Sequence, residues 1–318
     1  MSNAIATGTD KPVLLDSTDM ATFAARGFLR LDGVVPEALN QQFLNDIGHV
    51  DESEISSPLD HYGRVMGRSA IPVVNAGEPF HQAYPDDSAL KKIVSLPQVA
   101  GAIRSLVGAE PVFDHHFLHM TFPPVFYKNS TSPQIAQHTH QDSTIDPRST
   151  FDIQIMYFPH AVNKEMGGTR FVPGTHLRIV SEAAISRYQN IRGQQHMVCE
   201  AGTLLFVHMG IWHGGGLNLS DKIRYMFKIR LAPTKKQQCL WDLSDLPKGH
   251  FQQRPIYWMS PQQNNDPIHQ ILTKPEKWFE ADTGRLEYIN RIRFWRYLLG
   301  DDSFDADYWL TRIENEIY

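Results

Sequence analysis

Five short runs of β-branched and aromatic residues fill the middle of the chain, and Gly, Pro, Asn, Asp and Ser separate them. The runs cover residues 112–122, 150–158, 168–172, 202–209 and 222–231. Short strands divided by turn residues are typical of antiparallel sheets that pack as a barrel or a sandwich. The sequence therefore predicts a mainly β fold.

Helical periodicity flanks these runs, so we expect helices packed around the β core. The predicted helices cover residues 19–27, 36–47, 87–107 and 286–299, and a strand is expected at 28–31. Residues 1–17 are polar and aperiodic, which predicts a flexible N-terminus. Residues 49–70 mix charged residues with Ser, Pro and Gly, which predicts a loop or flap.

Length and charge limit the classes of function. A chain of 318 residues can form one large domain with appendages. The net charge is −5 and no basic block is present, which argues against nucleic acid as a partner. The sequence contains no uninterrupted stretch of 18 apolar residues, so no transmembrane helix is expected. Only two cysteines and no secretory leader predict a cytoplasmic protein.

The last part of the chain differs in composition from the rest. Five of the six tryptophans follow Pro233. We expect a β domain over residues 18–232 and a Trp-rich, partly helical extension over 233–318 packed on it. Trp258, Trp278, Trp295 and Trp309, with Arg291, Arg293 and Arg296, are either core residues or a surface that caps the site or forms a homodimer.

The motif QHTHQDST contains the first candidate metal ligands. In an extended chain, His140 and Asp142 point the same way, about 6.6 to 6.8 Å apart at Cα. His213, before a glycine cluster, is the best third ligand, and His138 is a rival to Asp142. Two histidines and one carboxylate suit a non-haem Fe(II) oxygenase, although zinc accepts the same ligands.

Arg224 begins an alternating strand eleven residues after His213. Arg224, Met226, Lys228 and Arg230 lie on one face, and the other face is wholly apolar. Either the polar face lies in water, or the apolar face packs under helices and Arg224 points into the barrel. A buried guanidinium needs a partner, and a dicarboxylate would satisfy it.

Together these motifs resemble the phytanoyl-CoA dioxygenase (PhyH) family of Fe(II)/2-oxoglutarate oxygenases, over roughly residues 20–232. The resemblance is carried by His140-Gln141-Asp142, by GGTRFVPGTH at 167–176, by His213 with Arg224 at +11, and by FAARGFLRLDGVVP near the N-terminus. It implies a double-stranded β-helix (jelly-roll) core. It also implies that His140, Asp142 and His213 bind Fe(II) and that Arg224 binds the distal carboxylate of 2-oxoglutarate, with O2 as second co-substrate.

The same resemblance implies further co-substrate contacts. Gln137 and Thr169 occupy positions that touch 2-oxoglutarate in relatives, and Met120 and Gln141 line the site in some members. Gly215 replaces a hydroxyl residue found in some relatives. Asp142 argues against halogenation, because related halogenases lack the carboxylate ligand.

Other histidines are less informative. His208 is expected on the opposite strand face from His213. Strand alternation separates His115 and His119 from His116, so at most one of these two faces reaches a ligand.

We therefore expect a dioxygenase that hydroxylates an unactivated C–H bond of a small molecule, releasing succinate and CO2. Two alternatives remain open, namely an oxygenase acting on a protein side chain and a non-catalytic metal-binding jelly-roll protein. Residues 127–135 and the segment 49–70 are either walls of the substrate site or surface loops.

Overall fold

A computed structural model of the chain describes residues 11–48, 57–68, 71–128, 130–131, 133–143, 152–178, 180–187, 190–246, 267–276 and 283–304. The strands of this part are β1 (Phe28–Leu31), β2 (Val112–Thr121), β3 (Ile153–Phe158), β4 (Thr169–Val172), β5 (Gln195–His196), β6 (Thr203–His208), β7 (Trp212–Gly215) and β8 (Arg224–Ala232). The helices are α1 (Ser17–Arg26), α2 (Glu37–Asp46), α3 (Pro58–Arg68), α4 (Ala89–Val94), α5 (Pro97–Val107), α6 (Glu182–Ile185), α7 (Pro267–Thr273) and α8 (Thr283–Leu299).

The strands form two antiparallel sheets. The larger sheet has the order β1-β6-β3-β8-β2, and the smaller has the order β5-β4-β7. An isolated bridge between His140 and His213 adds the segment around His140 beside β7. The predicted mainly β architecture with flanking helices is confirmed.

Two hydrophobic cores separate the layers. The first, the helix-side core, lies between the larger sheet and the helices, and it contains Phe43, Phe227 and Trp295. The second lies between the two sheets, where Phe171 of β4 packs with Met226 of β8. The larger sheet is therefore covered on both faces.

The N-terminal helix and strand are confirmed. Asp16 accepts a hydrogen bond from the backbone N–H of Asp19 (2.8 Å) and caps α1. Gly27 ends α1 with φ 78°, and a Cβ there would lie 2.4 Å from Nδ1 of His176. Only glycine fits this turn, since both its φ and the contact exclude a side chain.

Residues 11–16 contact the helical layer. The backbone N–H of Val13 donates to the carbonyl of Pro97 (2.9 Å), and that of Leu15 donates to Ser105 Oγ (3.1 Å). The flexible N-terminus was predicted over residues 1–17; these contacts hold residues 11–16 against the helices, and residues 1–10 lie outside the described residues. The predicted domain boundaries stay a prediction.

Two local predictions need correction. Half of the expected loop 49–70 is the helix α3, because His61 and Val65 bury one helix face and His61 Nε2 bonds Tyr225 OH (2.7 Å). Residues 49–56 and 69–70 lie outside the described part. The helix expected over 87–107 is two helices, since Pro97 begins α5 at its first turn.

The C-terminal helices pack on the helix-side core. Trp295 and Arg291 are fully buried, so these two residues belong to the core and not to a dimer surface. Trp295 contacts Trp241 at 5.7 Å between ring centroids, and Trp241 Nε1 donates to Ser17 Oγ (3.2 Å). Trp258, Trp278 and Trp309 lie outside the described residues.

None of the helices in the described ranges has the length and apolar composition needed to cross a bilayer.

A buried ion network holds α8 to the β core. Glu287 pairs with Arg178 and with Arg291, and the exposed fractions of all three residues are below 10%. We predict that Glu287→Gln lowers the free energy of unfolding by about 3 to 5 kcal/mol, because it leaves buried guanidinium groups without their counter-charge. Chemical denaturation measures this change. Glu110→Gln, at an exposed ion pair with Lys235, is the control and should have little effect; a similar loss in both variants would contradict the prediction.

Two fully buried histidines make stability depend on pH. Burial lowers the pKa of His208 to about 3, and burial lowers the pKa of His176 well below its usual value. Both are neutral in the folded protein, whereas an unfolded histidine titrates near pH 6.5. Stability should therefore fall as pH drops below about 6.5, by up to about 1.4 kcal/mol per pH unit for each group.

Unfolding of a His208→Gln variant between pH 6.5 and 4 tests this. The free energy of unfolding of this variant should fall less steeply with decreasing pH than that of the parent. The difference in slope should correspond to about one bound proton. His81→Gln, at an exposed histidine, should keep the parental slope. Parallel slopes in all three proteins would contradict the prediction.

Candidate metal and co-substrate site

Backbone pairing brings the candidate metal ligands together. His140 and His213 exchange two backbone hydrogen bonds, of 2.9 and 2.8 Å. The N–H of Asp142 donates to the carbonyl of Met209 (3.1 Å), in the turn between β6 and β7. As a result, ligand atoms of His140, Asp142 and His213 all lie within 4.8 Å of one another.

Each histidine is oriented by a backbone carbonyl. Nδ1 of His140 lies 3.0 Å from the carbonyl oxygen of His138, and Nδ1 of His213 lies 3.0 Å from that of Ile211. A carbonyl only accepts, so each Nδ1 must carry the proton and donate. The lone pair of each Nε2 is then left for a metal ion.

The charges suit a divalent cation. Burial opposes ionisation of Asp142, but His213, Lys228 and His140 outweigh it and lower the pKa of this carboxyl. Burial, followed by the neighbouring His213, lowers the pKa of His140. An ionised carboxylate and a neutral imidazole are the forms that bind metal, so these groups need no deprotonation at neutral pH.

The rival ligand His138 lies outside this group. Its carbonyl orients His140, and its exposed side chain lies at the cavity rim. Gln141 faces the other way, and its Nε2 donates to the carbonyl of Val180 (3.2 Å). The structure therefore does not bring the Gln141 side chain into the site.

Arg224 points between the two sheets. Its exposed fraction is 2%, and the neighbouring Tyr225 and Phe227 pack against the helix-side core. Of the two interpretations of this strand, the interior one is correct. Arg224 Nε donates to Thr121 Oγ1 (2.9 Å), whereas the buried Nη1 has no hydrogen-bond partner in the described chain. Burial lowers the pKa of Arg224 to about 10, so it remains charged at neutral pH.

Two of the candidate metal ligands, His140 and His213, share with Arg224 a cavity of about 390 Å³. Its lining includes His140, His213, Arg224, Gln137, Thr169, Met120, Lys228 and the glycines 214–216. Ile135 also lines it, so the end of the predicted loop 127–135 forms part of its wall. This volume is in the range of small-molecule sites.

The three other residues predicted to contact 2-oxoglutarate, Gln137, Thr169 and Met120, differ in position. Gln137 Oε1 accepts from the N–H of Gly215 (2.9 Å), and Thr169 is buried opposite Gly215 in the strand register. Both lie in the cavity wall. Met120 also borders the cavity, but it pairs with Tyr225 and its side chain packs on the helix-side core.

Close backbone contacts explain the glycine cluster. A Cβ on Gly214 would lie 2.9 Å from the carbonyl oxygen of His138, and one on Gly216 would lie 2.8 Å from that of Gly167. A Cβ on Gly215 would meet nothing closer than 3.6 Å, the distance to Gln137 Oε1. His213 itself lies inside β7.

Three residues lie close to the candidate metal ligands or in the cavity although the sequence did not assign them to the site. Gln154 Nε2 lies 3.3 Å from Nε2 of His213, and Lys228 Nζ lies 3.9 Å from Asp142 Oδ2. His119 borders the cavity, and burial, with Lys228 next in size, lowers its pKa to about 4. Strand alternation pointed to two of them, since it places His119 on the face opposite His116 and Lys228 on the face of Arg224.

The expected separation of the remaining histidines is also found. His116 stacks on Tyr84 on the helix side (5.9 Å between centroids). His208 is fully buried next to Phe294 of α8, away from the cavity.

A mainly β fold of two facing sheets, with two histidines and a carboxylate beside a buried arginine, defines a non-haem metal oxygenase class. The family model of phytanoyl-CoA dioxygenase (PhyH) matches residues 23–226. The chain belongs to this family, and its core is of the double-stranded β-helix type. It is thus an oxidoreductase of the Fe(II)- and 2-oxoglutarate-dependent dioxygenase class.

Solved structures of several non-haem enzymes are similar to the chain. HygX from Streptomyces hygroscopicus, with nickel and 2-oxoglutarate bound, has 12% identity and a TM-score of 0.48, over 69% of this chain and 88% of that chain. The carbocyclase SnoK from nogalamycin biosynthesis has 17% identity and a TM-score of 0.47, over 70% and 87%. The monooxygenase ThoJ in a nickel complex has 17% identity and a TM-score of 0.46, over 86% and 99%. No curated protein matched the sequence, and the family assignment rests on the family model.

If Arg224 binds the distal carboxylate of 2-oxoglutarate, as the sequence predicts, Arg224→Ala should weaken 2-oxoglutarate binding about 100-fold while Fe(II) binding is retained, because charge-assisted bonds to that carboxylate would be lost. Arg224→Lys should recover only part of the affinity, since lysine lacks the bidentate fork. Anaerobic titration of the iron-loaded protein with 2-oxoglutarate measures both. Arg192→Ala, at an exposed arginine, is the control, and unchanged affinity in Arg224→Ala would contradict the assignment.

Proposed function

We propose that this chain hydroxylates an unactivated C–H bond of a small-molecule substrate, with Fe(II) held by His140, Asp142 and His213 and with 2-oxoglutarate anchored by Arg224. One observation carries the proposal. The three ligand side chains converge to within 4.8 Å, two of them, His140 and His213, line one cavity with Arg224, and the buried guanidinium nitrogen Nη1 of Arg224 lacks a hydrogen-bond partner in the described chain.

The donor set fits the implied metal. Two neutral imidazoles and one ionised carboxylate leave coordination positions open for a co-substrate and O2. Bound iron with 2-oxoglutarate and O2 supplies the oxidising chemistry, with succinate and CO2 as products. The side chains act by holding and orienting these groups. His140 and His213 are kept in the metal-binding tautomer by backbone carbonyls.

Arg224 supplies the charge for the distal carboxylate of 2-oxoglutarate. Its Nε is already fixed by Thr121, so the guanidinium plane is oriented before the co-substrate enters, and little side-chain entropy is lost on binding. Gln137 and Thr169, in the same wall, are proposed as further co-substrate contacts. The sheets exclude water around this end of the cavity, which strengthens the ion pair.

The size of the cavity favours a small-molecule substrate over a protein side chain. A volume of about 390 Å³ suits a metabolite-sized ligand held between two sheets. A protein substrate requires a long open groove, whereas the described lining residues border a cavity of limited volume. Cytoplasmic location, the absence of a nucleic-acid partner and a possible homodimer remain predictions from the sequence.

Anaerobic Fe(II) and 2-oxoglutarate should together give a visible metal-to-ligand charge-transfer band with the purified chain. Asp142→Ala should abolish the band, because a charged ligand is removed from the metal. Asp86→Ala, at a carboxylate that is 97% exposed, should keep it. A parent protein without the band and without O2-dependent succinate release would contradict the proposal and favour the non-catalytic alternative. A small-molecule screen that reads succinate release would then identify the substrate.

A further inference from the structure

The cavity contains a second cation for which the proposed function has no role. Arg224 and Lys228 lie on the same face of β8 and both line the cavity. Four residues of an extended strand separate their Cα atoms by about 13 Å. Arg224 serves the far end of the co-substrate, whereas Lys228 lies beside the metal carboxylate Asp142.

Lys228 is largely buried and poorly paired. Its side chain is 12% exposed, and the distance of 3.9 Å to Asp142 Oδ2 exceeds that of a hydrogen bond. Its Nζ also lies over the face of the Phe117 ring, 5.6 Å from the ring centroid. No hydrogen bond from its ammonium to an acceptor is present in the described ranges. Burying such a group is costly unless an acceptor arrives.

The groups around Lys228 do not supply that acceptor. Across the strands, it pairs with Phe117 on one side and Met156 on the other. The two remaining carboxylates nearby, Asp114 and Asp152, are engaged by Arg230 at 3.0 and 3.6 Å. A metal ion bound by Asp142 would then engage the carboxylate that lies 3.9 Å from Lys228 Nζ.

Apolar surface lies next to this cation. Phe117 is 54% exposed although it lies on the sheet face that carries Lys228. Met156 and Met226 line the cavity beside it, and methionine adapts to ligands of varied shape. A ligand with a carboxylate at Lys228 could therefore lay an apolar group along Phe117.

We propose that Lys228 is a specificity-determining residue, which binds a carboxylate of the substrate and so selects amphipathic carboxylic acids. The inference rests on the proposed function, because it places the substrate beside the proposed metal site. The same chemistry has one other source, namely the metal-proximal carboxylate of 2-oxoglutarate. The exposed Phe117 ring favours the substrate, because 2-oxoglutarate has no apolar group to cover it.

Phenylalkanoic acids with side chains of two to six carbons, each compared with its methyl ester, are suitable probes. Calorimetry gives their dissociation constants with protein loaded with Zn(II), and again with Fe(II) and 2-oxoglutarate under anaerobic conditions. The parent should bind at least one acid more tightly than its ester. In Lys228→Met this preference should fall about 10- to 100-fold, the range expected for a lost charge-assisted hydrogen bond.

Two further variants separate charge from structure. Lys228→Arg should keep most of the preference for the acid. Lys222→Met, at an exposed lysine on the turn before β8, should leave it unchanged. If the parent binds every acid no more tightly than its ester, the inference is wrong.

The charge-transfer band distinguishes the remaining outcomes. A Lys228→Met variant that loses 2-oxoglutarate affinity but keeps the acid preference would assign Lys228 to the co-substrate and overturn the inference. One that loses only metal affinity would make Lys228 a positioning residue for Asp142, which also overturns it. A Lys228-dependent acid preference in the Zn(II) protein, with no Fe(II)–2-oxoglutarate band in the parent, would support the inference while the proposed function fails.

Discussion

Strand β8 is buried on both faces, and the alternation of its side chains determines what each layer of the molecule contains. Tyr225 and Phe227 pack against the helices, so the residues between them must point between the sheets. Those residues are Arg224, Met226 and Lys228. A shift of register by one residue would place the aromatic rings in the cavity and the charges in the core. The core and the site thus depend on the same pairing.

The site is assembled by backbone bonds before any ligand enters. The reciprocal bonds between His140 and His213 fix their spacing, and two carbonyl groups fix their tautomers. In the part of the chain that the structure describes, Arg224 Nη1 is buried without a hydrogen-bond partner. Such groups reduce the stability of the empty fold. The same desolvation strengthens their attraction for a charged ligand, because little water competes.

Much of this arrangement follows from local sequence patterns. The spacing of His140 and Asp142 and the alternation around Arg224 depend only on strand geometry, so their placement was predictable. Lys228 and Gln154 were not predictable as neighbours of the ligands, since their contacts join strands far apart in the chain. Helix α3 was missed because few of its residues are apolar, and its burial depends on tertiary contacts such as that of His61 with Tyr225.

Residues 214–216 form a wall of the cavity from main chain, not from side chains. Backbone atoms of other segments occupy the space beside Gly214 and Gly216, whereas Gly215 faces Gln137 Oε1 with room for a small side chain. A substitution at 215 can therefore reshape the cavity without moving the strand that carries His213. The selectivity of this enzyme can change in evolution at that position while the metal ligands stay in place.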